Sequence, residues 1–491
     1  MSDYNFLMET RLSAEQYQVI NHLSRVAGTE GLNLFLVGGA VRDLTYGQQV
    51  VRDLDFAVEG KPGKLLRHLE AKPRGGAQAA PFQVTSEEFD SHLDSAQVTF
   101  SNGVRVEIAQ TRVENYARPG KRPEVEPAAI FEDLRRRDLS MNAMAVSLHP
   151  NSRGLLLDPT NGAADIERRE LRALYSRSFT DNPTRIYRLL RLGMRLGFKA
   201  EEKTHTWLER ALEYRAWERL NEEQQGSELR AILQEENPGR ILKSLAEQGL
   251  LAGLDRKLAA TRLPFDQFSK VRSVAQNVPG ADAFLLNFHC LVSKLGGEQR
   301  SRLARLIIPD RKVQKTALEL ENAAKKLARS LASSKADLPS QVYGLIEGQP
   351  LHLLLFLLAN YPQAKLQNRV KNFLHKFPAM RARMPRTELL TLGLDPGPKF
   401  EKIFHQLLLA QLDGKIKTHP QLLKEFRALA GIKEPEPPPK PALPKAAPKP
   451  VKPAAPPAKK PTPPPPPQPA KTAKPAKAKH PAAKAPKKRK K

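Results

Sequence analysis

The last part of the chain restricts where a hydrophobic core can form. Residues 433–491 contain 21 of the 42 prolines and 17 lysines and arginines, with almost no large apolar side chains. A segment of proline, alanine and lysine cannot bury enough apolar surface to fold. We therefore predict a disordered, partly polyproline basic arm at residues 433–491, and folded structure only within residues 1–432.

The charge of the chain indicates its kind of partner. The formal net charge is +28, and the arm, with 17 basic and 2 acidic residues, contributes +15 of it, which leaves +13 for residues 1–432. Both regions are basic, which indicates a polyanionic partner. Non-specific contact with RNA is the expected role of the arm, although a purely solubilising tail has the same composition.

Other features exclude some classes of protein. Cys290 is the only cysteine, so an intrachain disulfide and a cysteine-based zinc site are both impossible. The N-terminal residues lack the apolar core of a signal peptide. The apolar run that begins at Leu351 is too short to span a bilayer. We therefore expect a cytoplasmic protein with no membrane partner.

The stretch RDLDFAVEG, residues 52–60, places two aspartates in what reads as a buried strand. Because side chains alternate along a strand, Asp53 and Asp55 point to one face while the apolar residues point to the other. Neighbouring anions repel each other, and a shared divalent metal relieves that repulsion. A pair of solvated acids on an edge strand or turn is the alternative.

A hairpin signal follows in SAQVTFSNGVRVEIAQ, where Asn102 and Gly103 suit a tight turn. On the second strand Val106 and Ile108 face the core, so Glu107 faces the other side. If this strand lies beside the aspartate strand, three carboxylates converge, and Glu107 can help to orient or deprotonate an attacking hydroxyl. A solvated strand position is the alternative for Glu107 alone.

Two motifs suit phosphate groups. NLFLVGGAVRDL reads as a strand, a turn at Gly38 and Gly39, and a helix whose first turn contains Arg42. Glycine lets backbone N–H groups approach a phosphate, and a helix N-terminus favours negative charge. The motif DLRRRDLSMNAMA adds Arg136 and Arg137 before Asp138, and Asn142 after it. Arginines oriented by a carboxylate suit a triphosphate, whereas a charged surface turn is the alternative.

Residues 183–196 predict an amphipathic helix. Asn182 suits the N-cap and Pro183 the first helical position. Apolar side chains share one face, and four arginines share the other. These arginines are Arg185, Arg188, Arg191 and Arg195. A helix with a solvated basic stripe is the alternative.

The order of these motifs resembles bacterial class II tRNA nucleotidyltransferases and poly(A) polymerases. In the head, the resemblance rests on GGAVRD, DLD, VEIAQTRVENYARPGKRPEV, DLRRRDLSMNAMA and LLDPTNGAADIERRELRAL. SFTDNPTRIYRLLRLGMRLGF resembles the nucleotide-selecting motif, and TELLTLGLDPGPKFEKIFHQLLLAQLDGKI resembles the tail of tRNA-specific members. The resemblance implies an α/β polymerase-beta-like head followed by all-α domains. The expected boundaries are head 1–175, neck 176–255, body 256–378, tail 379–432 and arm 433–491.

The resemblance also implies a function. It implies template-independent addition of CCA, or of its terminal A, to the 3′ end of tRNA from CTP and ATP, with release of pyrophosphate. An ATP-specific poly(A) polymerase and a catalytically inactive RNA-binding descendant are the alternatives. Asp53 and Asp55 would hold two Mg²⁺ ions, and Glu107 would assist the attacking hydroxyl. The implied nucleotide-binding residues are Gly38, Gly39, Arg42, Arg136, Arg137, Asp138, Asn142, Asn182, Arg185, Arg188 and Arg191.

Within the selecting motif, Asn182 and Arg185 would read the base edge, while Arg188 and Arg191 would steady the triphosphate or the motif itself. Asn182 stands where the family usually has a carboxylate, and Gln224 stands where similar proteins tend to have an arginine. The amide oxygen still accepts a hydrogen bond from the amino group of cytosine or adenine, but the negative charge is lost. We therefore expect weaker discrimination between nucleotides and an unimpaired transfer reaction.

Overall fold

The computed structural model describes residues 3–48, 51–69 and 82–432. The predicted arm, residues 433–491, lies outside the described residues. The strands in the described part are β1 (Asn33–Val37), β2 (Leu54–Glu59), β3 (Val84–Asp90), β4 (Ser95–Phe100), β5 (Arg105–Gln110), β6 (Arg112–Asn115), β7 (Glu124–Pro127), β8 (Ala145–Ser147), β9 (Leu156–Leu157), β10 (Glu170–Leu171) and β11 (Lys199–Ala200).

One seven-stranded sheet, in the order β3-β4-β5-β2-β1-β8-β9, forms the framework of the head. Strands β2 and β5 are parallel, and the other neighbouring pairs are antiparallel. The predicted hairpin between β4 and β5 is confirmed, with Gly103 at a φ of +84° in its turn. Two small sheets, antiparallel β6–β7 and parallel β10–β11, lie beside the main one.

The two faces of this sheet differ in what covers them. Leu36, Phe56 and Ile108 point into the main hydrophobic core, as the alternation predicts. The opposite face carries Phe35, Val37, Ala57 and Ala145, which pack in a smaller cluster against Ile130 and Leu134. Asp55 pairs in register with Val37 and therefore lies on this second face. The second face thus combines a thin apolar layer with the carboxylates.

Helices surround the sheet in the first part of the chain. They are α1 (Tyr4–Arg11), α2 (Ala14–Thr29), α3 (Gly39–Tyr46), α4 (Pro62–Leu66), α5 (Ile130–Arg135) and α6 (Gly162–Arg168). A capping box begins α2, because Ser13 and Gln16 each accept a hydrogen bond from the other's backbone N–H. Helix α5 supplies Ile130 and Leu134, which cover the second face of the sheet.

The rest of the described chain is almost entirely helical. Its helices are α7 (Ser178–Asp181), α8 (Thr184–Leu196), α9 (Glu202–Glu213), α10 (Glu222–Leu233), α11 (Pro238–Glu247), α12 (Leu251–Leu254), α13 (Arg256–Ala259), α14 (Phe265–Gln276), α15 (Phe284–Val292), α16 (Gly297–Ile307), α17 (Arg311–Ala332), α18 (Pro339–Ile346), α19 (Leu351–Asn360), α20 (Ala364–Lys371), α21 (Phe377–Arg383), α22 (Arg386–Thr391), α23 (Pro398–Leu412) and α24 (His419–Ala430). A π-helical segment, Asn372–Lys376, joins α20 to α21, and short 3₁₀ segments occupy Ser140–Asn142, Pro150–Ser152, Ala216–Arg219 and Ser334–Ala336. The predicted fold class, an α/β head followed by helices, is confirmed.

The hydrophobic core is continuous through most of these helices. One cluster of buried side chains extends from Tyr4 to Val370, so the sheet and the following helices share it. A second cluster, which includes Phe400 and Phe426, holds the last helices together. The predicted boundaries between head, neck, body and tail stay predictions, because all described residues fall within one compact unit.

None of the helices in the described residues is by itself long and apolar enough to cross a membrane. Helices α18 and α19 reach the required length and composition only when taken together, and they are bent by 118° at their junction.

Candidate active site

Two of the predicted carboxylates lie on neighbouring strands. In the parallel pair β2–β5, Asp55 is in register with Glu107, which confirms that the hairpin strand lies beside the aspartate strand. Asp53 differs from the expectation, because it precedes β2 by one residue and is exposed. Asp55 is half-buried and Glu107 is exposed. The three side chains therefore border the same end of β2, with Asp55 the most enclosed.

The electrostatics of this group favour a cation. Burial, together with the negative charges of Glu107 and Asp53, raises the pKa of Asp55 to about 7, although Arg137 and Arg42 oppose the rise. A carboxylate whose neighbours repel its charge gains stability when a metal ion neutralises the group.

The carboxylates at this end of β2 suit Mg²⁺ as ligands. Within residues 3–48, 51–69 and 82–432, no group of three or more His, Cys, Asp or Glu side chains already forms a metal cage. Mg²⁺ commonly binds through only one or two carboxylates, with water and substrate phosphates completing its shell. Asp53 and Asp55 fit that role by donor type and by their surplus negative charge.

The turn between β1 and α3 passes directly over Asp55. Gly38 has a φ of +66°, a conformation that side chains rarely adopt. A Cβ atom at this residue would lie 3.2 Å from Oδ2 of Asp55 and 3.3 Å from Nη1 of Arg137. Gly39 begins helix α3, and a Cβ there would lie 3.4 Å from Nη2 of Arg42. Glycine is therefore required at residue 38 for two independent reasons, conformation and space.

Arg136 and Arg137 are both held by Asp133, which the sequence analysis did not single out. Asp133 is 1% exposed, and its Oδ1 accepts from Nη2 of Arg136 at 2.5 Å while its Oδ2 accepts from Nη2 of Arg137 at 2.9 Å. These interactions lower the pKa of Asp133 in spite of its burial. The spacing of three and four residues within EDLRRRD is the signal that could have identified it. Arg136 also donates to Glu114 at 2.6 Å.

Arg42 and Asn142 take part in a buried chain of hydrogen bonds that leads to the helical region. Arg42 is 5% exposed, and it pairs with Asp43 at 2.8 Å and donates to Oδ1 of Asn142 at 2.7 Å. Asn142 in turn donates to Asp138 at 3.3 Å, and Asp138 accepts from Arg188 of α8 at 2.9 Å. The structure therefore places Arg42 within this network, where its guanidinium positions other polar groups.

The buried carboxyl of Asp138 stays ionised. Burial alone would raise its pKa, but Arg188 and Arg185, with hydrogen bonds to Arg188 and to the backbone of Leu139, lower it to about 2. Asp138 thus supplies a fixed negative charge where the sheet region meets α8.

The predicted selecting helix forms as α8 but begins one residue later than expected. Pro183 occupies the N-cap position, and Asn182 ends the preceding helix α7. The Asn182 side chain still acts as a cap, because its Oδ1 accepts from the backbone N–H of Thr184 at 3.2 Å and from its hydroxyl at 2.6 Å. Asn182 and Arg185 do not hydrogen-bond to each other through their side chains.

The arginines of α8 do not form an exposed stripe. Arg185 is 6% exposed, and its partners are Tyr175, Ser178 and the carbonyl of Arg136. Arg188 binds Asp138, as described above, and Arg191 donates to Glu235 at 2.8 Å. The solvated alternative is therefore wrong for Arg185 and Arg191, whereas the side chain of Arg188 pairs with Asp138 and is 43% exposed.

Glu235 is a second residue that the sequence analysis missed. It is 5% exposed, and besides Arg191 it accepts from Arg52 at 3.4 Å and lies 3.8 Å from Arg195. Arg52 immediately precedes Asp53. One carboxylate therefore joins the loop that carries Asp53 to the selecting helix. No local signal in the sequence indicates this contact, because Arg52 and Glu235 are 183 residues apart.

Gln224 has a structural role at the start of α10. Its backbone N–H donates to Asn221 at 2.9 Å, and its side-chain oxygen accepts from the Asn221 backbone at 3.1 Å. This reciprocal capping box satisfies two backbone donors at the helix N-terminus. The described structure thus uses Gln224 to begin a helix.

Taken together, the described residues form an α/β head with a mixed sheet and a glycine turn over a carboxylate pair, joined to a helical region through an arginine-rich helix. Residues 34–172 match the sequence family described as the Poly A polymerase head domain. Over parts of its length the chain is thus similar to poly(A) polymerases and tRNA nucleotidyltransferases.

Three relatives illustrate the similarity. An A-adding tRNA nucleotidyltransferase of Geobacter sulfurreducens is 27% identical over 84% of this chain and 47% of its own length. An enzyme of the same description from Halalkalibacterium halodurans is 28% identical over 87% of this chain and 96% of its own length. A CC-adding tRNA nucleotidyltransferase of Deinococcus radiodurans is 35% identical over 48% of this chain and 59% of its own length. The chain thus spans about half the length of the Geobacter and Deinococcus relatives and almost all of the Halalkalibacterium relative.

Proposed function

We propose that this protein is a template-independent nucleotidyltransferase that adds nucleotides to the 3′ end of tRNA, from ATP and CTP, in the cytoplasm. The observation that carries the proposal is the register of Asp55 with Glu107 beside the turn at Gly38. This arrangement places negative side chains and a phosphate-compatible backbone at one end of the sheet. The basic character of residues 1–432 supports an RNA substrate.

In the proposed reaction, the 3′ hydroxyl oxygen of the RNA attacks the α-phosphorus of the nucleotide, and the bond to the bridging oxygen breaks to release pyrophosphate. Asp53 and Asp55 would hold Mg²⁺, which when bound neutralises phosphate charge and favours ionisation of the hydroxyl. Glu107 accepts the hydroxyl proton or orients that group. Arg137, whose Nη1 lies beside Gly38, faces the phosphates as a fixed positive charge.

Base selection is assigned to α7 and the start of α8. Arg185 offers a rigid fork of N–H donors that can face the edge of a base, and Asn182 lies three residues before it. Arg188 and Arg191 hold the helix in place through Asp138 and Glu235. No template strand is needed, since protein groups contact the base directly.

The relatives favour the terminal A as the nucleotide added. Those that match 84% and 87% of this chain are named A-adding enzymes, whereas the CC-adding relative matches 48% of it. The match of residues 34–172 to a Poly A polymerase head favours ATP-specific poly(A) addition as the second candidate.

Incorporation by the full chain distinguishes these candidates. Three tRNA transcripts, ending before CCA, after the first C and after the second C, are each incubated with CTP, ATP or both. One A added only to the transcript that ends in CC supports A addition, and complete CCA on all three supports CCA addition. Long A tracts on all substrates indicate a poly(A) polymerase. Binding of RNA without any incorporation indicates an inactive descendant and contradicts the proposal.

A further inference from the structure

The guanidinium of Arg185 is fixed by three groups outside α8. Its Nη1 donates to the Tyr175 hydroxyl at 2.7 Å and to the Ser178 hydroxyl at 3.0 Å, and its Nη2 donates to the Arg136 carbonyl at 2.9 Å. The guanidinium carbon also lies 5.4 Å from the centre of the Tyr175 ring. Tyr175 therefore holds Arg185 both through its hydroxyl and through its ring.

These contacts leave part of the fork for a ligand. An arginine side chain has five N–H groups, and the three hydrogen bonds use three of them. Among the described residues no further hydrogen bond to this guanidinium occurs, so Nε and one N–H of Nη2 have no protein acceptor, and the residue is 6% exposed. Their direction is set by the groups that hold the other three.

Residue 182 does not contribute to this orientation. The side-chain oxygen of Asn182 accepts two hydrogen bonds from Thr184, and it carries no charge that would attract Arg185. Asn182 therefore caps helix α8, while Tyr175 restrains Arg185.

Tyr175 also borders open space beside Arg136, whose carbonyl accepts from Arg185. Together with Arg136 and Asp181 it lines a cavity of about 480 Å³. Burial raises the pKa of Tyr175, which favours the neutral hydroxyl that accepts from Arg185 at 2.7 Å.

We propose that Tyr175 is a positioning residue that sets nucleotide preference by fixing the direction in which Arg185 presents its free N–H groups. This inference rests on the proposed function, which assigns Arg185 to the base edge. It replaces the expected pair of Asn182 and Arg185 with a pair of Tyr175 and Arg185.

The test compares Tyr175→Phe with the wild-type full chain. Binding of ATP, CTP, UTP and GTP is measured by calorimetry, and misincorporation is measured on tRNA. Loss of a hydrogen bond to a charged group should reduce the preference for the cognate nucleotide about tenfold, mainly through KM, with kcat at saturation nearly unchanged.

A matched control is available on the selecting helix itself. The hydroxyl of Tyr187 donates to the carbonyl of Leu250 at 2.9 Å and is not among the hydrogen-bond partners of Arg185. Tyr187→Phe removes a hydrogen bond of similar length, so it should lower the melting temperature without changing nucleotide preference. Equal effects of both variants on preference would overturn the proposal.

A double-mutant cycle decides whether Tyr175 acts through Arg185. In an Arg185→Lys background, Tyr175→Phe should cause no further loss of preference, because the oriented fork is already gone. Independent, additive losses would overturn the proposal, as would unchanged preference in Tyr175→Phe alone. A wild-type chain that adds no nucleotide contradicts the proposed function instead, and the binding preferences still decide the role of Tyr175.

Discussion

Asp138 and Arg188 form an ion pair of 2.9 Å that joins the sheet-bearing region to the selecting helix. Asp138 is 5% exposed, so its charge is satisfied almost entirely by protein groups. The positive charges of Arg185 and Arg137 also attract the Asp138 carboxylate, and the carboxyl of Glu228 opposes it. The pair fixes α8 relative to the turn that carries Asn142.

This pair predicts a pH dependence of stability. The pKa of Asp138 is lowered from 3.8 to about 2 in the folded chain, so ionisation stabilises the fold. The contribution, about 2 kcal/mol, is complete above about pH 4 and is lost as the pH falls toward 2. Asp138→Asn should therefore be less stable than wild type at pH 6, and the difference in free energy of unfolding should shrink between pH 4 and pH 2. A constant difference across this range would contradict the assignment.

Replacement of the paired aspartates should abolish nucleotide addition without unfolding the protein. Asp53→Ala and Asp55→Asn each remove a group assigned to the metal, and a loss of at least about 100-fold in kcat is expected. The melting temperature should not fall, because each change relieves repulsion between carboxylates. Glu87→Gln, an exposed carboxylate on β3 of the same sheet, is the control and should retain activity. Near wild-type addition by either aspartate variant would remove that residue from the site.

Gly38→Ala should impair nucleotide binding beyond its effect on stability. Gly38 has φ +66° and ψ −129°, a conformation that costs an alanine roughly 1–3 kcal/mol, and the new Cβ would also meet Asp55 and Arg137. Gly280 has a similar φ of +71° with no atom within 4 Å of the added Cβ. Gly280→Ala should therefore show the strain alone, with unchanged affinity for ATP. The comparison uses calorimetric unfolding and nucleotide titration, and equal affinities in the two variants would count against the turn as part of the site.

Removal of residues 433–491 should weaken RNA binding but spare the chemistry. The segment holds +15 of the net charge, so the loss of affinity should be large at low salt and fade as salt rises. Single-turnover addition at saturating RNA should match the full chain. A truncated protein that misfolds, or that adds nucleotides slowly at saturation, would show that the segment has a structural role.

Substitutions of Asn182 separate helix capping from base reading. If the side chain serves only Thr184, Asn182→Asp is tolerated, and Asn182→Ala lowers stability by roughly 1 kcal/mol with unchanged nucleotide choice. Should Asn182 read the base, Asp would sharpen the preference for nucleotides with an amino group and Ala would blur it. The capping contacts favour the first outcome. Misincorporation of UTP and GTP, measured with the melting temperature of each variant, distinguishes the two.

The sequence predicts those parts of the site that depend on local periodicity. Alternation along β2 and the hairpin before β5 were enough to place Asp55 and Glu107 on one face, and the paired glycines predicted the turn at Gly38. The partners of buried charges could not be predicted in this way. Glu235 meets Arg52 across 183 residues, and such a contact depends on packing that no local pattern records. Arg185 was expected beside Asn182, but burial and the supply of acceptors from Tyr175 and Ser178 decided its partners.

The carboxylate of Glu235 binds Arg52 through one oxygen and Arg191 through the other. Because both arginines share one carboxylate, displacement of either arginine shifts the acceptor of the other. A tilt of α8 that lengthens the Arg191 bond also shifts the carboxylate that contacts Arg52, so the loop before β2 is coupled to the helix through Glu235.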